Sequence, residues 1–296
     1  MIKDIIKKYL LYFLGKYILS DERLIRLRGN LRLKRKINLD NPVYFNDKIN
    51  WLKLNWYDPT AKICADKYAV RNYIQEKIGV DYLNTLYGVY DDVDKIDLSK
   101  LPNSFVLKST HGTGEVIIVK DKNNINWTIK KKVMRKWLKR NIYWTTREWV
   151  YKDIKPQIIC EKLLVDKELE DLRDYKIYCF NGEPKLIQVH MNRFNDHKRQ
   201  IYDINWNLTD IKINYNTVLD KKIKKPKKLD EMLRLSEKLS EAFPFVRVDF
   251  YIVNGQIIFG ELTFFPGAGF LIFEDLKKEE LIGSWLELPN NKREIV

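Results

Sequence analysis

The sequence has few cysteines, and each of the three lies in an apolar setting. Cys64, Cys160 and Cys179 are too few and too scattered to form a disulfide framework or a zinc cluster. We therefore expect reduced thiols in the core of a cytoplasmic protein. Internal repeats, low-complexity linkers and nucleic-acid-binding signatures are also absent, so we expect a globular protein without a specific nucleic-acid partner.

Long apolar runs are absent near the N-terminus. The run at residues 9–14 is far shorter than the roughly 20 residues that a membrane span needs. No small-residue cleavage site follows it, so neither a span nor a secretory signal is predicted. Residues 1–17 instead place apolar side chains on one helical stripe with lysines around it. Such a helix can dock on the body of the protein, or it can lie on anionic lipid at the inner face of the cell membrane.

The chain is strongly basic, with a formal net charge of +14. This charge implies an acidic partner, such as a nucleotide, a polyanion or an anionic membrane. Seven of the basic residues fall in residues 23–36. We expect their charges to face solvent, while interspersed leucines anchor the stretch to the body of the protein: Leu24, Leu27, Leu31 and Leu33.

Composition and periodicity predict a globular α+β chain. The 296 residues are 45% apolar and 13% aromatic, which is enough for a good core. A helix is predicted at residues 66–79, with Asp66 as its N-cap and Gly79 as its stop. Further helices are predicted at 129–138 and 226–242, and strands at 82–89, 105–108, 116–119, 158–164, 175–180 and 185–190.

A C-terminal hairpin carries the most informative pattern. Residues 245–253 and 257–265 predict two strands, apolar throughout except for Arg247, Asp249, Glu261 and Thr263. Charged groups in so apolar a hairpin are costly to bury unless they are paired or hold a metal ion. Two carboxylates beside an arginine suit a magnesium-phosphate site, because Mg2+ prefers hard oxygen ligands. The alternative is a surface salt bridge on an edge hairpin.

The register of this hairpin decides between the two interpretations. A two-residue turn at Asn254 and Gly255 would place Asp249 opposite Gly260 and send Glu261 to the other face. A three-residue loop, residues 254–256, pairs Asp249 with Glu261 and groups the polar side chains on one face. We prefer the three-residue loop because it also leaves the apolar side chains together for a core.

A second motif combines Lys108 with the glycine-containing loop at residues 111–114. Glycines let backbone amides approach phosphate oxygens closely, and the lysine adds a positive charge. The loop is not a P-loop, because no Gly-Lys-Ser/Thr follows it and it joins two strands. Taken alone, it is also compatible with an ordinary turn.

In order along the chain, these motifs resemble the ATP-grasp superfamily. The resemblance rests on Lys67 at a helix start, residues 105–108 before the glycine loop, Glu161 in residues 158–164, and the polar hairpin. Three further motifs resemble more narrowly its TupA-like branch, which is associated with teichuronopeptide and capsular polysaccharide biosynthesis: residues 180–185, 247–251 and 259–266. The resemblance covers roughly residues 40–290.

The resemblance implies an ATP-grasp fold in which two α+β lobes clasp ATP after a short helical N-terminal segment. The corresponding domain limits are 1–60 for the basic helical segment, 61–160 for the lobe with the glycine loop and 161–296 for the lobe with the metal-binding hairpin. The implied activity is that of an ATP-dependent carboxylate–amine ligase, in which ATP phosphorylates a carboxylate and an amine then attacks the acyl phosphate.

The resemblance also implies roles for individual residues, with ATP and Mg2+ as ligands. Phosphates would be bound by Lys67, Lys108, His111, Gly112, Thr113 and Gly114. Adenine and ribose would lie against Glu161, Lys162, Leu163 and Leu164. Mg2+ would be held by Asp249 and Glu261, and more weakly by Thr263, which stands where many superfamily members have Asn. Arg247 would stabilise the transferring phosphoryl group, and Lys176 would also reach phosphate.

The acceptor and its site are less constrained. The region before residue 60 is short for the usual N-terminal substrate-binding domain. His190, Arg193 and Arg199 are candidates for binding an acidic acceptor, the alternative being solvent-exposed charges. We expect a carboxylate such as a uronic acid of a surface polysaccharide, joined to an amine or amino acid. Two other functions remain open: a glycosyltransferase with Asp91 and Asp92 as a poor metal motif, and a non-catalytic polyanion-binding module, which leaves the carboxylates of the hairpin unexplained.

Overall fold

A computed structural model of the chain describes residues 2–166, 172–191, 197–214 and 222–290, with the backbone alone for residues 2–8. Within these ranges, two antiparallel sheets are flanked by helices. The helices are α1 (Ile2–Tyr17), α2 (Asp21–Leu33), α3 (Phe45–Asn55), α4 (Pro59–Ala65), α5 (Val70–Lys77), α6 (Trp127–Leu138), α7 (Tyr143–Thr146), α8 (Leu229–Ser240) and α9 (Leu276–Ser284).

The first sheet contains four strands in the order β1-β4-β2-β3. Its strands are β1 (Leu86–Tyr90), β2 (Phe105–Ser109), β3 (Val116–Val119) and β4 (Ile158–Lys162). Alternate apolar residues of these strands, including Phe105 and Leu107, pack against Met134 of α6 in a separate small core. The opposite face and the loop between β2 and β3 are thereby left for the cleft.

The second sheet contains five strands in the order β7-β6-β5-β8-β9. Its strands are β5 (Asp174–Phe180), β6 (Glu183–Met191), β7 (Lys198–Asp203), β8 (Phe245–Val253) and β9 (Gln256–Thr263). One face packs on the apolar side of α8, where Met232 and Leu239 are fully buried. The other face carries polar side chains, because the strand period of two puts Lys176, Arg247 and Asp249 on the same side. The predicted division of the chain at residues 60 and 160 stays a prediction.

The hairpin reaches the preferred pairing by a different route from the one predicted. The prediction of a three-residue loop is wrong, because Val253 pairs with Gln256 across a two-residue turn. The two turn residues, Asn254 and Gly255, have φ values of 49° and 76°. The register then shifts by one residue at Gly260, so that Asp249 still pairs with Glu261. A bulge of this kind adds one residue to one strand and restores a common face for the side chains that follow it.

Most other predicted elements are present with shifted ends. The strand predicted at residues 82–89 begins only at Leu86, because Val80–Tyr82 forms a 3-10 turn. The strand predicted at 158–164 ends at Lys162, which leaves Leu163 and Leu164 outside it. Asp66 caps the turn before α5 by accepting from the amides of Tyr68 and Ala69. The three cysteines are buried free thiols, as predicted, and burial raises their pKa values.

Helix α1 docks on the body of the protein through its C-terminal half. Gly15 is buried against the backbone of α7, and Arg147 donates hydrogen bonds to the carbonyls of Gly15 and Leu19. Tyr9, Leu10 and Phe13 are exposed, so contact with lipid through this part of the helix stays a prediction. No helix among the described residues is long and apolar enough to cross a membrane.

The expectation that the charges of residues 23–36 face solvent is wrong for two arginines. Arg28 donates to the carbonyl of Thr145 and lies over the ring of Phe270. Arg35 forms ion pairs with two buried carboxylates, Asp47 at 2.7 Å and Glu279 at 2.8 Å. The cause is that α2 packs on α3, which brings both guanidinium groups within reach of acceptors in the interior. Of the predicted anchors, Leu24 is buried, whereas Leu31 is 51% exposed.

Gly15→Ala is expected to loosen this docking. A Cβ at Gly15 would lie 1.9 Å from the carbonyl oxygen of Trp144, so α1 or α7 would have to shift. We expect a loss of about 1–3 kcal/mol in the free energy of unfolding, measured by urea denaturation. Lys16→Ala, at the neighbouring exposed position, is the control and should change stability little. Equal stability of Gly15→Ala and the wild type would contradict the docking.

Candidate active site between the two sheets

A cleft lies between the two sheets and collects side chains that are far apart in the sequence. Its lining residues come from the start of α5, from β2 and β4, from the glycine loop and from the polar face of the second sheet. Most of them are charged, polar or glycine. Those that the sequence predicted are Lys67, Lys108, Thr113, Gly114, Glu161, Lys176, Asp249 and Glu261.

Two lysines bring positive charge to the glycine-loop side of the cleft. Lys67 precedes α5, where its backbone N–H donates to the carbonyl of Thr110 and its ammonium group donates to the carbonyl of Gly112. Burial lowers the pKa of Lys67, and the nearby charge of Glu261 opposes this effect. Lys108 points from β2 into the same cleft. The contacts of Lys67 tie it to the loop through which amides would approach a phosphate.

Glu161 is held by two cations. Its carboxylate is buried and lies 2.8 Å from the ammonium group of Lys108 and 3.3 Å from the guanidinium group of Arg71. Arg71 also donates to the carbonyl of Asn84 at 2.9 Å. From the sequence, Arg71 was predicted only as part of a helix. Its position four residues after Lys67, within the helix predicted at residues 66–79, was the available signal.

On the second sheet, Asp249 is bound by two cations at the centre of the polar face. Arg247 contacts both carboxylate oxygens, at 2.6 and 2.7 Å, and Lys176 donates to Asp249 from the neighbouring strand. Lys176 also contacts Asp174 at 2.7 Å. Burial raises the pKa of Asp249, and the charges of Arg247 and Lys176 oppose this effect. The arrangement satisfies a carboxylate that is 2% exposed.

Glu261 lies next to Asp249 and is much more accessible, with 38% of its side chain exposed. Arg247 donates to Glu261 at 3.2 Å and to the hydroxyl of Thr263 at 3.0 Å. Thr263 in turn donates to Glu261 at 3.2 Å. Arg247 therefore joins Asp249, Glu261 and Thr263 in one hydrogen-bonded set.

This set fits Mg2+ by its donor chemistry. Two carboxylates and a hydroxyl are hard oxygen donors, and Mg2+ usually combines one or two carboxylates with phosphate oxygens and water. Within the described ranges, no group of three or more His, Cys, Asp or Glu side chains is placed to hold a metal ion. Mg2+ would therefore depend on phosphate oxygens for part of its coordination, and Asp249 and Glu261 as its ligands stay a prediction.

The remaining predicted nucleotide-binding residues are not among those that line the cleft. His111 is buried at the start of the glycine loop, where its Nε2 is 2.9 Å from the carbonyl oxygen of Trp137. Glu115 accepts from Ser109 and pairs with Arg140, which fixes the same loop to the end of α6. Lys162 is exposed at the end of β4. The contacts predicted for His111, Gly112, Lys162, Leu163 and Leu164 stay predictions.

The acceptor candidates lie farther along the polar face, on β6 and β7. His190 pairs with Asp174 on one side and Arg199 on the other in the strand register. Burial and the nearby charges of Lys176 and Arg199 lower the pKa of His190, which favours the neutral ring. Arg193 lies outside the described residues. In contrast, Asp91 is exposed after β1 and is bound by Lys95, and the cleft lining does not include it.

Comparisons with known proteins give a family match and structural neighbours of low sequence identity. The model of the TupA-like ATP-grasp family matches residues 47–287. Among solved structures, the chain is 16% identical to D-alanine–D-alanine ligase from Bacillus anthracis complexed with ATP, with a TM-score of 0.37 and coverage of 68% of this chain and 55% of that one. It is 13% identical to an L-amino acid ligase from Bacillus licheniformis, with a TM-score of 0.47 and coverage of 84% of this chain and 56% of that one. The chain thus spans little more than half the length of either enzyme, and no curated protein matches it.

Proposed function

Because the chain belongs to the TupA-like ATP-grasp family, as the match over residues 47–287 shows, we propose that it is an ATP-dependent carboxylate–amine ligase. The observation that carries the proposal is the cleft itself. Its lining brings the carboxylates of Asp249 and Glu261, and the neighbouring Lys176, together with the lysines of the glycine-loop side. Binding of a nucleoside triphosphate needs this combination: cations and loop amides for the phosphates, and carboxylate oxygens for the metal ion.

In the proposed reaction, a carboxylate oxygen of the acceptor attacks the γ-phosphorus of ATP, and ADP leaves. An amine then attacks the carbonyl carbon of the acyl phosphate, forming the amide and releasing inorganic phosphate and a proton. Mg2+ bound by Asp249 and Glu261, with a weaker contact to Thr263, would neutralise charge on the phosphates. Lys67 and Lys108 hold the phosphate chain, while Arg247 and Lys176 offset negative charge as the phosphoryl group moves.

The proposed acceptor is an acidic saccharide, such as a uronic acid of a surface or capsular polysaccharide, and the donor is an amino acid or simple amine. The net charge of +14 supports an anionic acceptor. We propose a cytoplasmic protein that contacts the inner face of the membrane through α1. The exposed Tyr9, Leu10 and Phe13 on this helix are the side chains that would enter the lipid interface.

Thermal unfolding with MgATP, MgADP and UDP-glucuronate tests the nucleotide site. MgATP at about 100 times its dissociation constant should raise the unfolding midpoint by several degrees, because it binds only the folded chain. Asp249→Asn and Glu261→Gln should each remove the shift. Glu183→Gln, at an exposed position away from the cleft, is the matched control and should keep it.

Each outcome separates the proposal from its rival. A shift with MgATP justifies an assay of ADP release with glucuronate and a set of amines, and ADP release that depends on both substrates supports the ligase. A shift with UDP-glucuronate alone would instead identify a glycosyltransferase. A shift with neither nucleotide would contradict the assignment of the cleft.

A further inference from the structure

The turn that follows the polar hairpin has an unusual backbone. Pro266–Gly269 begins three residues after Thr263, the last residue of β9. Gly267, Ala268 and Gly269 have successive φ values of 59°, 54° and 72°. Left-handed backbone is routine for glycine but unfavourable for Ala268, which has a Cβ. Contacts from elsewhere must therefore hold this turn in place.

The turn is held by a polar face on α3. Asn46, Asn50 and Lys53 are spaced by four and three residues, so they lie on one side of the helix. They are 0%, 0% and 2% exposed. In a helix that otherwise packs Phe45, Ile49 and Leu52 into the main core, this is a stripe of buried polar groups.

The members of the stripe bind backbone groups of the turn and of Leu271, which follows it. Asn46 forms two hydrogen bonds of 2.8 Å with Leu271, one to its carbonyl and one from its N–H. Asn50 donates to the carbonyl of Gly269 at 2.6 Å, and Lys53 donates to the carbonyl of Ala268 at 2.5 Å. The helix therefore contacts the main chain at Ala268, Gly269 and Leu271.

Lys53 is the centre of this contact. Its ammonium group donates to three oxygens: the carbonyls of Ala268 and Thr146 and the side chain of Asn50. Three acceptors match the three protons of an ammonium group. Burial lowers the pKa of Lys53 to about 7, so its charge is costly to keep in this position. An apolar side chain would pack here without the cost of burying a charge. We therefore infer that the lysine is used to hold the backbone carbonyls that it binds.

Because β9 leads into the turn, the contact of the turn with α3 also bears on the end of this strand. Among the described strands, β9 is at the edge of the sheet and pairs with β8 alone. It carries Glu261 and Thr263 near its C-terminal end, and the chain then enters the turn. The turn lies so close to α3 that a Cβ on Gly269 would be 2.8 Å from the side-chain nitrogen of Asn50.

We propose that Asn46, Asn50 and Lys53 are positioning residues for the metal-binding end of the cleft. They fix the Pro266–Gly269 turn and, through it, the end of β9 that carries Glu261 and Thr263. The inference rests on the proposed function for its ligand, MgATP, whereas the fixing of the turn does not depend on any ligand.

The first test is backbone amide exchange in Lys53→Met, a variant that keeps the length of the side chain and removes its charge. Amides in peptides covering residues 261–271 should exchange at least tenfold faster than in the wild type. Asn50→Ala is a milder second variant that tests the same contact if Lys53→Met does not fold. Leu239→Ala is the control, because it opens a cavity under the apolar face of the sheet and lies on α8, outside the hydrogen bonds between α3 and the turn. Unchanged exchange in residues 261–271, or equal acceleration in the control, would overturn the proposal.

The second test separates positioning from general stability. ATP binding is measured by calorimetry with Mg2+ and with EDTA. In Lys53→Met, affinity for MgATP should fall at least tenfold, while affinity for ATP in EDTA should change less than about twofold. Equal losses under both conditions would overturn the positioning role. If the wild type binds no ATP, the proposed function fails, and the exchange experiment still decides whether α3 fixes the end of β9.

Discussion

Glu261→Gln is expected to lower turnover by at least about 100-fold without unfolding the protein. The side chain is 38% exposed, and its hydrogen bonds from Arg247 and Thr263 reach a single oxygen. Glutamine has the same shape and keeps an oxygen acceptor for these donors. It loses the negative charge that a divalent cation needs next to Asp249. The effect should therefore fall on the reaction and much less on folding.

ADP release with saturating carboxylate and amine measures this effect, and thermal unfolding confirms that the variant is folded. Glu183→Gln serves again as the control, because it removes the same charge from an exposed position. Excess Mg2+ should restore part of the activity if weaker metal binding is the cause. Near-normal turnover in Glu261→Gln would remove this carboxylate from the site.

Lys108→Met should also lower turnover by at least about 100-fold, for a different reason. The ammonium group faces the cleft and is 2.8 Å from Glu161. Its removal takes away a positive charge from the phosphates and leaves the charge of Glu161 balanced by Arg71 alone. Both changes make the cleft more negative, so the KM for ATP should rise as turnover falls.

Steady-state kinetics at varied MgATP concentration measure both constants. Lys100→Met is the matched control, because the side chain of Lys100 is 83% exposed and lies away from the cleft lining. Lys108→Arg keeps the charge and should retain more activity than Lys108→Met. Wild-type kinetics in Lys108→Met would show that this lysine does not bind phosphate.

The hairpin illustrates how sequence reasoning can reach the right pairing with the wrong turn. The grouping of polar side chains correctly predicted that Asp249 pairs with Glu261. The Asn254-Gly255 dipeptide indicated the correct two-residue turn, and the preferred loop overrode this signal. The missing element was the bulge at Gly260, because a single glycine in a strand does not reveal whether the register shifts there. The expected ATP-grasp family is confirmed by the match over residues 47–287.

Long-range polar contacts were the part that the sequence did not reveal. Asn50 and Lys53 bind backbone groups more than 200 positions away, and no local pattern identifies such a partner. Similarly, Arg28 and Arg35 belong to a stretch whose composition suggests a solvated surface. Composition describes the average environment of a charged residue, whereas packing of α2 on α3 determines these two individually.

The bulge at Gly260 also links the length of the hairpin tip to the chemistry at its base. With a two-residue turn and no bulge, the two carboxylates would fall on opposite faces of the sheet. With the bulge, Asp249 pairs with Glu261 and both carboxylates lie on the same face. A homologous hairpin that lacks the bulge must therefore compensate with one extra residue in the turn. An insertion in the turn should consequently occur together with a deletion at the bulge. A relative with only one of the two changes would have its two carboxylates on opposite faces and would lack this site.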